Sequence, residues 1–309
     1  MSLGVPDATA PGAGADRVRR VSGLATVLRR IVRSTTGRTG LVIVVFVVGA
    51  SLLAPVLAPY DARVDRDFDS VRQPPSLEHP FGTDELGRDT LTRVWHGGRI
   101  SLRVGLVAVG LAASVGSLLG LMAGYFGGRF DLAVGWLVDI LLAFPGILLA
   151  IAIVATLGPN LTNALLAISI TQVPIYVRIT RSVVLGLRES EYVQAARALG
   201  SRTPRVMFGH VLPNSLSPIV VQVTLSVGVA ILDVAALGFL GLGAQPPIPE
   251  WGLLIREGYR QASRAPWLSL FPGLAIFVSV VGFNLLGDAI RDALDPRLKA
   301  GSLGRPMAV

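Results

Sequence analysis

Two carboxylates stand inside long apolar runs: Asp139, which opens "DILLAFP", and Asp233 in "LSVGVAILDVAALGFL". A charge placed in hydrocarbon costs at least about 2.5 kcal/mol, so such a residue should be paired or should line a polar path. Asp139, near the start of its run, reads first as an interhelical hydrogen bond or ion pair that fixes packing. Asp233 reads equally as a packing contact or as a pathway residue meeting an ammonium group. Most other chemistry is closed to this chain. It has no cysteine, hence no disulfide, thiolate metal site or cysteine nucleophile. His79, His96 and His210 are far apart in sequence, and no shared metal site is expected of them. The one lysine, Lys299, is followed by Ala300, so the phosphate-cradling pattern G-x-x-x-x-G-K-[ST] is missing. No Ser-His-Asp arrangement is visible, and Ser114 and Ser117 read as helix-packing residues.

The elements that must hold these residues are membrane spans. Of the 309 residues, 51% are hydrophobic and only 16% charged, against about 25% charged in soluble domains. A nucleic-acid partner would require a basic groove interleaved with aromatics; aromatics are 6%, and no such partner is expected. Six apolar runs lie at 40–60, 102–125, 132–157, 161–177, 219–242 and 268–286. About 20 helical residues at about 1.5 Å each cross a core of about 30 Å. The first run is too long and too far into the chain for a cleaved signal peptide and reads as a retained span. The expectation is an all-α integral membrane protein with six transmembrane helices and both termini on one side.

Charge sets the orientation. Segment 1–38 holds seven arginines against Asp7 and Asp16, 7 − 2 = +5, and 21–32 within it suits an amphipathic helix on the membrane surface. Segment 178–214 holds six arginines against Glu189 and Glu191, 6 − 2 = +4. Segment 61–99 holds eight acids and six arginines. Basic segments mark the cytoplasmic side. The chain thus divides into a cytoplasmic tail 1–38, a first transmembrane helix 39–60, an extracytoplasmic segment 61–99, a core 100–290 with five further spans, and a cytoplasmic tail 291–309. Gly116, Gly120 and Gly124 recur on one face of the second span, where small residues let helix backbones approach closely in lipid. Pro145 and Pro174 should break the hydrogen-bond ladder of the third and fourth spans. Asp84, Glu85 and Asp89 with Arg88 and Arg93 fit an amphipathic helix of the outer segment.

A polar stretch interrupts the apolar pattern: "EYVQAARALGSRTPRVMFGHVLPN", residues 191–214. Residues 191–199 suit a helix, and Gly200 suits the left-handed position that ends one. Thr203 can cap a second helix with Pro204 in its first turn, and Pro213 should stop that helix near Leu212. The residues alone leave two readings: a helix-turn-helix that meets a partner, or an ordinary loop lying on headgroups.

That stretch resembles the cytoplasmic signature loop of bacterial ABC importer permeases, with Gln194, Ala195, Ala196, Gly200, His210, Leu212 and Pro213 at the signature positions. Gln194 stands where the family usually has glutamate, and His210 where it usually has an aliphatic residue. "HPFGTDELGRDTLTRVWHGGRISL", "DILLAFP", "LGFLGLGAQPPIPEWG" and "FNLLGDAIRDALDPR" are similar to the C-type permease subunit of dipeptide, oligopeptide and nickel importers. The resemblance runs from Thr39 to Arg297. It implies a type I ABC importer permease fold and a coupling loop over 183–214, with Glu191 and Arg197 beside the signature positions. The implied partners are a homologous second permease, two ABC ATPase subunits and an extracytoplasmic binding protein, with membrane lipid around the spans. ATP and magnesium would be used by the ATPase partners, and no cofactor or metal is expected on this chain. Segments 61–99 and 244–251 are expected to face outward, as docking surfaces for the binding protein or as a static lid on the bundle, and the resemblance implies import of dipeptides or oligopeptides, with nickel chelate, glutathione or another small solute as the alternative cargo. An ion-driven secondary transporter would instead show inverted repeats and several paired intramembrane charges.

Overall fold

The computed structural model describes residues 26–61 and 65–294. The expectations for 1–25 and 295–309, Lys299 included, lie outside the described residues. Helix α1 spans Thr35–Leu57 and is capped by Ser34, whose hydroxyl accepts the Gly37 N–H. A helical stretch, 26–33, precedes it and sets Ile31 against Ala289 and Ala293. Helix α2, Thr90–Phe126, starts at Asp89, whose carboxylate accepts the Thr92 N–H at 2.8 Å, and ends at Gly127 with φ 67°. Then come α3, Gly128–Leu142, α4, Gly146–Leu157, and α5, Leu161–Arg188. Two short helices, α6, Glu191–Ala198, and α7, Thr203–Val206, precede a π-helical turn, Met207–Val211. Helices α8, Leu212–Phe239, α9, Trp251–Tyr259, and α10, Trp267–Leu294, complete the chain. The main core forms among α2, α5, α8 and α10, with α1 packed against α10 and α2.

Among the described residues, four stretches are long and apolar enough to cross a membrane: α1, α2, the run from Thr203 to Phe239, and α10. The pair α3 and α4 makes a fifth if counted together, but it is bent by 90°. The expected span over 132–157 is two helices, broken at Pro145 as the sequence predicts. Its ring fixes φ and its nitrogen has no hydrogen to continue the ladder. The fourth expected span, 161–177, lies in α5. Its 28 residues reach about 42 Å, but Asn163, Gln172, Arg178 and Arg181 keep it out of the apolar set. It tolerates them because α2, α4 and α8 surround it. Pro174 does not break α5, which continues through it with Pro174 buried; this corrects the sequence expectation.

The α2–α5 seam rests on the three glycines. A Cβ on Gly116 would lie 2.7 Å from the Val173 carbonyl oxygen, one on Gly120 2.5 Å from that of Val177, and one on Gly124 3.0 Å from that of Arg181. Carbonyl oxygens of a helix cannot turn aside as a side chain can, so any larger residue must part the helices. Gly120→Leu is expected to cost at least about 1–3 kcal/mol, the scale of overpacking a core. The check is the fraction of monodisperse protein on fluorescence-detected size exclusion after mild heating, which should fall well below that of a Gly110→Leu control. A Cβ on Gly110 would meet no atom within 4 Å.

The segment 65–89 closes one end of the bundle, called here the cap end. It contains a 3-10 turn, Phe68–Ser70, and a single bridge between Thr83 and Asp89. Residues 84–89 form turns and not the expected amphipathic helix. The physical reason is Asp84, whose carboxylate takes up the Leu86 and Arg88 backbone N–H groups and so closes a side-chain turn.

Candidate functional site

At the opposite end of the bundle α5 leaves the core, and the chain turns at Glu189 and Ser190 into α6. The Gln194 side-chain amide donates to the Glu189 carbonyl at 2.9 Å and ties the short helix back to its predecessor. A glutamate there could not donate that bond. Val193 is fully buried in a cluster with Leu121 of α2, Val184 of α5, Val206, Met207 and Val211; Ala196 and Leu212 pack on the same cluster. The Arg197 guanidinium lies 4.9 Å from the centre of the Tyr125 ring, within cation–π range. One side of α6 is thus anchored. The other carries Glu191, Tyr192, Ala195, Ala198 and Leu199, all exposed, with Leu199 at 87%.

Helix α6 ends as the sequence predicts. Gly200 has φ 79°; its N–H reaches the Arg197 carbonyl at 2.9 Å, and the Ser201 N–H reaches that of Ala196 at 3.0 Å. This is the paired-bond Schellman ending, with glycine in the left-handed position. Two details differ. Thr203 is the first residue of α7 and not its cap; Arg202 occupies the cap position without a side-chain bond. Nor does Pro213 stop the helix at Leu212. The Leu212 N–H bonds to the Met207 carbonyl, one residue farther back than in an α-helix, and α8 continues at once. The wider π turn absorbs the proline at the start of α8, where its missing N–H is tolerated. His210 is half-buried, and its carbonyl accepts from the Asn214 side chain at 2.6 Å. Helix α7 is therefore continuous with α8 through the π turn, and α6 joins it across the Gly200 turn.

The two acids within the spans are not brought together. Asp139 on α3 pairs with Arg178 of α5 at 2.8 Å, and both side chains are more than half exposed. Arg178 lies about 15 Å before the end of α5 by helix rise. Asp233 lies in α8 about 32 Å beyond Leu212 by the same rise. It is half-buried and has no hydrogen-bond or ion-pair partner among the described residues. A second pair went unread in the sequence: Arg181 of α5 grips Asp131 of α3 with two nitrogens, Nη2 to Oδ2 at 2.7 Å. Arg188 reaches the Gly124 carbonyl at 3.1 Å. The signal for the Arg181–Asp131 pair was present, as α5 carries arginines and α3 carries Asp131 and Asp139, but pairing across helices has no sequence period.

The cap end holds a buried network that sequence reading also missed. Asp84 Oδ2 accepts from Arg88 Nε and Arg93 Nη1, both at 2.6 Å, and Arg93 Nη2 reaches Glu257 of α9 at 2.9 Å. Helix α9 lies between the expected fifth and sixth spans, where the sequence reading places no helix. It is capped by Glu250, fully buried, whose carboxylate accepts the Gly252 and Leu253 N–H groups and the Ser101 hydroxyl at 2.9–3.0 Å. Burial pushes the Glu250 carboxyl above its usual range, and those hydrogen bonds only partly offset it. Trp251 is buried beside Gly97 and Gly98, and its indole donates to the Val94 carbonyl at 2.8 Å. The histidines stand apart: His79 is 3.2 Å from Asp89, and His96 is 2.8 Å from the Ala58 carbonyl.

Comparison with known proteins places this arrangement. Residues 116–300 match the family described as binding-protein-dependent transport system inner membrane component. Residues 22–75 match the N-terminal TM domain of oligopeptide transport permease C. The chain is 48% identical over 285 residues to the dipeptide transport system permease protein DppC of Alkalihalophilus pseudofirmus, covering 92% of this chain and 93% of that one. It is 49% identical over 267 residues to the di/tripeptide transport system permease protein DppC of Pseudomonas aeruginosa, covering 84% and 88%. It is 42% identical over 272 residues to the glutathione transport system permease protein GsiD of Pectobacterium atrosepticum, covering 88% and 90%. An all-helical bundle of apolar spans and matches of this extent lead to one conclusion: the chain belongs to the binding-protein-dependent inner membrane component family, as a C-type permease of ABC transporters.

Proposed function

We propose that this chain is one of two permease subunits of an ATP-driven importer of dipeptides or short oligopeptides, and that it couples to ATPase subunits through α6 and α7. The observation that carries the reading is the build of α6: one face locked to α2 and α5, the other bare, and a fixed glycine turn leading into α8. In this reading Glu191, Ala195 and Leu199 face the ATPase. Gln194, Ala196, Arg197 and Gly200 hold the loop in shape, and His210, Leu212 and Pro213 form the joint to α8. The chain does no catalysis; ATP and magnesium act in the partner subunits. Both termini and the α6 end lie in the cytoplasm of a bacterial inner membrane, and the cap end receives an extracytoplasmic binding protein. ATP binding draws the ATPases together, and the bundles exchange inward-facing and outward-facing states according to their differential binding energy. Asp139 and Asp233 are pathway candidates, Asp139 with its charge held by Arg178.

Glutathione is the second cargo reading, favoured by the glutathione permeases among the relatives. The test is uptake of labelled dialanine by cells carrying the complete importer, with unlabelled dipeptide, glutathione or nickel chelate as competitor. Dipeptide uptake that only peptides suppress supports the proposal. Competition by glutathione alone transfers the cargo assignment, and uptake indifferent to this chain's deletion overturns it.

A further inference from the structure

A cleft of about 520 Å³ opens at the cap end between the chain following α1, one face of α2 and the first turns of α5. Its charged part is made by Arg99 and Arg103, four residues apart on α2 and therefore neighbours on one face, with Tyr60, His96 and Thr162 also lining it. Both are exposed, and neither has a carboxylate partner among the described residues. No acidic side chain lines the cleft. One helical turn deeper the wall becomes apolar, with Val104, Val107 and Leu165. The level in the membrane is set by the elements themselves. Tyr60 follows the end of α1, and α5 begins at Leu161, so the arginines stand where spans meet water. A tyrosine at that level is typical of the interface.

Two unpaired arginines at this boundary call for an anion. Basic residues are normally concentrated on the cytoplasmic side, and the cap end is the one proposed above to be extracytoplasmic. A guanidinium offers several donors to a phosphate, and a charge at a membrane boundary is costly until neutralised. The order of features along α2, cationic and then apolar toward the membrane centre, matches a phosphate headgroup with its acyl chains below it. We propose that Arg99 and Arg103 form a binding site for an anionic phospholipid, with the phosphate between the two guanidiniums and one acyl chain along Val104, Val107 and Leu165. Only the choice of leaflet rests on the orientation given under the proposed function; the site itself does not depend on cargo or coupling.

The test uses the full chain extracted with its surrounding lipid by a styrene–maleic acid copolymer, followed by lipid mass spectrometry. Phosphatidylglycerol should be enriched over the bulk membrane around the wild type, and the Arg99→Gln, Arg103→Gln double variant should lose most of that enrichment. Both side chains are exposed, so the variant should fold; an Arg99→Lys, Arg103→Lys pair should recover at least half of the enrichment. In detergent, added phosphatidylglycerol should raise the wild-type melting temperature more than phosphatidylcholine or glycerol phosphate does. Equal enrichment in wild type and double variant, or equal protection by glycerol phosphate alone, would overturn the site. Absence of peptide uptake by the wild type, with its phosphatidylglycerol enrichment present, would count against the transport reading and leave this one standing.

Discussion

Gly200→Val is expected to reduce peptide uptake at least tenfold while leaving the amount of protein in the membrane unchanged, and Gly200→Asn is expected to retain most of the uptake. At φ 79° the glycine occupies the left-handed region. A side chain there costs roughly 1–2 kcal/mol, and a β-branched one more. Asparagine visits the region readily because its short polar side chain bonds locally. No atom lies within 4 Å of where a Cβ would stand, so the difference between the variants is expected to be conformational. Each 1.4 kcal/mol is a factor of ten in population, which makes the valine loop mostly misfolded against an intact bundle. Uptake corrected for membrane content reads the effect. Equal uptake by the two variants would mean that the shape of this turn does not matter to transport.

The second large effect belongs to the cap end. Asp84→Asn is expected to destabilise the protein by roughly 3–5 kcal/mol, the scale for removing one partner of a buried charge network. All four acceptor positions of Asp84 are used, two by backbone N–H groups and two by Arg88 and Arg93. The asparagine amide would turn donors toward one side of that set and leave the buried guanidiniums short of an anion. Glu257→Gln should cost much less. Glu257 contacts only Arg93 in this network and is about one-third exposed, where solvent screens the pair. Melting in detergent, followed by intrinsic fluorescence, should show a large loss for the first variant and a small one for the second. Comparable losses would show that the network is not anchored at Asp84.

How much of this was legible in the sequence depends on whether the signal was local. The ending of α6 was legible because a left-handed glycine after a helix is encoded within a few residues. The α2 glycine stripe was legible because helical period alone aligns Gly116, Gly120 and Gly124. What they touch, the backbone of α5, was not. The break at Pro145 and the continuity at Pro174 and Pro213 show the limit of a local rule. A proline removes one donor everywhere, but a π turn or a close-packed neighbouring helix decides whether the helix goes on. Helix α9 and its Glu250 cap escaped notice because a short helix carries little periodicity and its capping acid sits in a proline-rich stretch. The pairing of Asp84 with Arg88 was expected, but on a helix; its true setting depends on Arg93 and Glu257, 164 residues apart. Asp139 was read first as an interhelical pair, and Arg178 now stands beside it, while its part in a pathway is a matter for transport measurements.

The most direct test of the central claim is co-purification. The tagged chain would be extracted in mild detergent from membranes that contain the whole transporter, and the eluate assayed for partner subunits and ATP hydrolysis. The account predicts recovery of a second permease and P-loop ATPases with the wild type and Gly200→Asn, and loss of coupled ATPase activity with Gly200→Val. A chain recovered alone from membranes in which another ABC complex survives the same extraction would contradict it, and the stretch 191–213 would then be a basic surface loop.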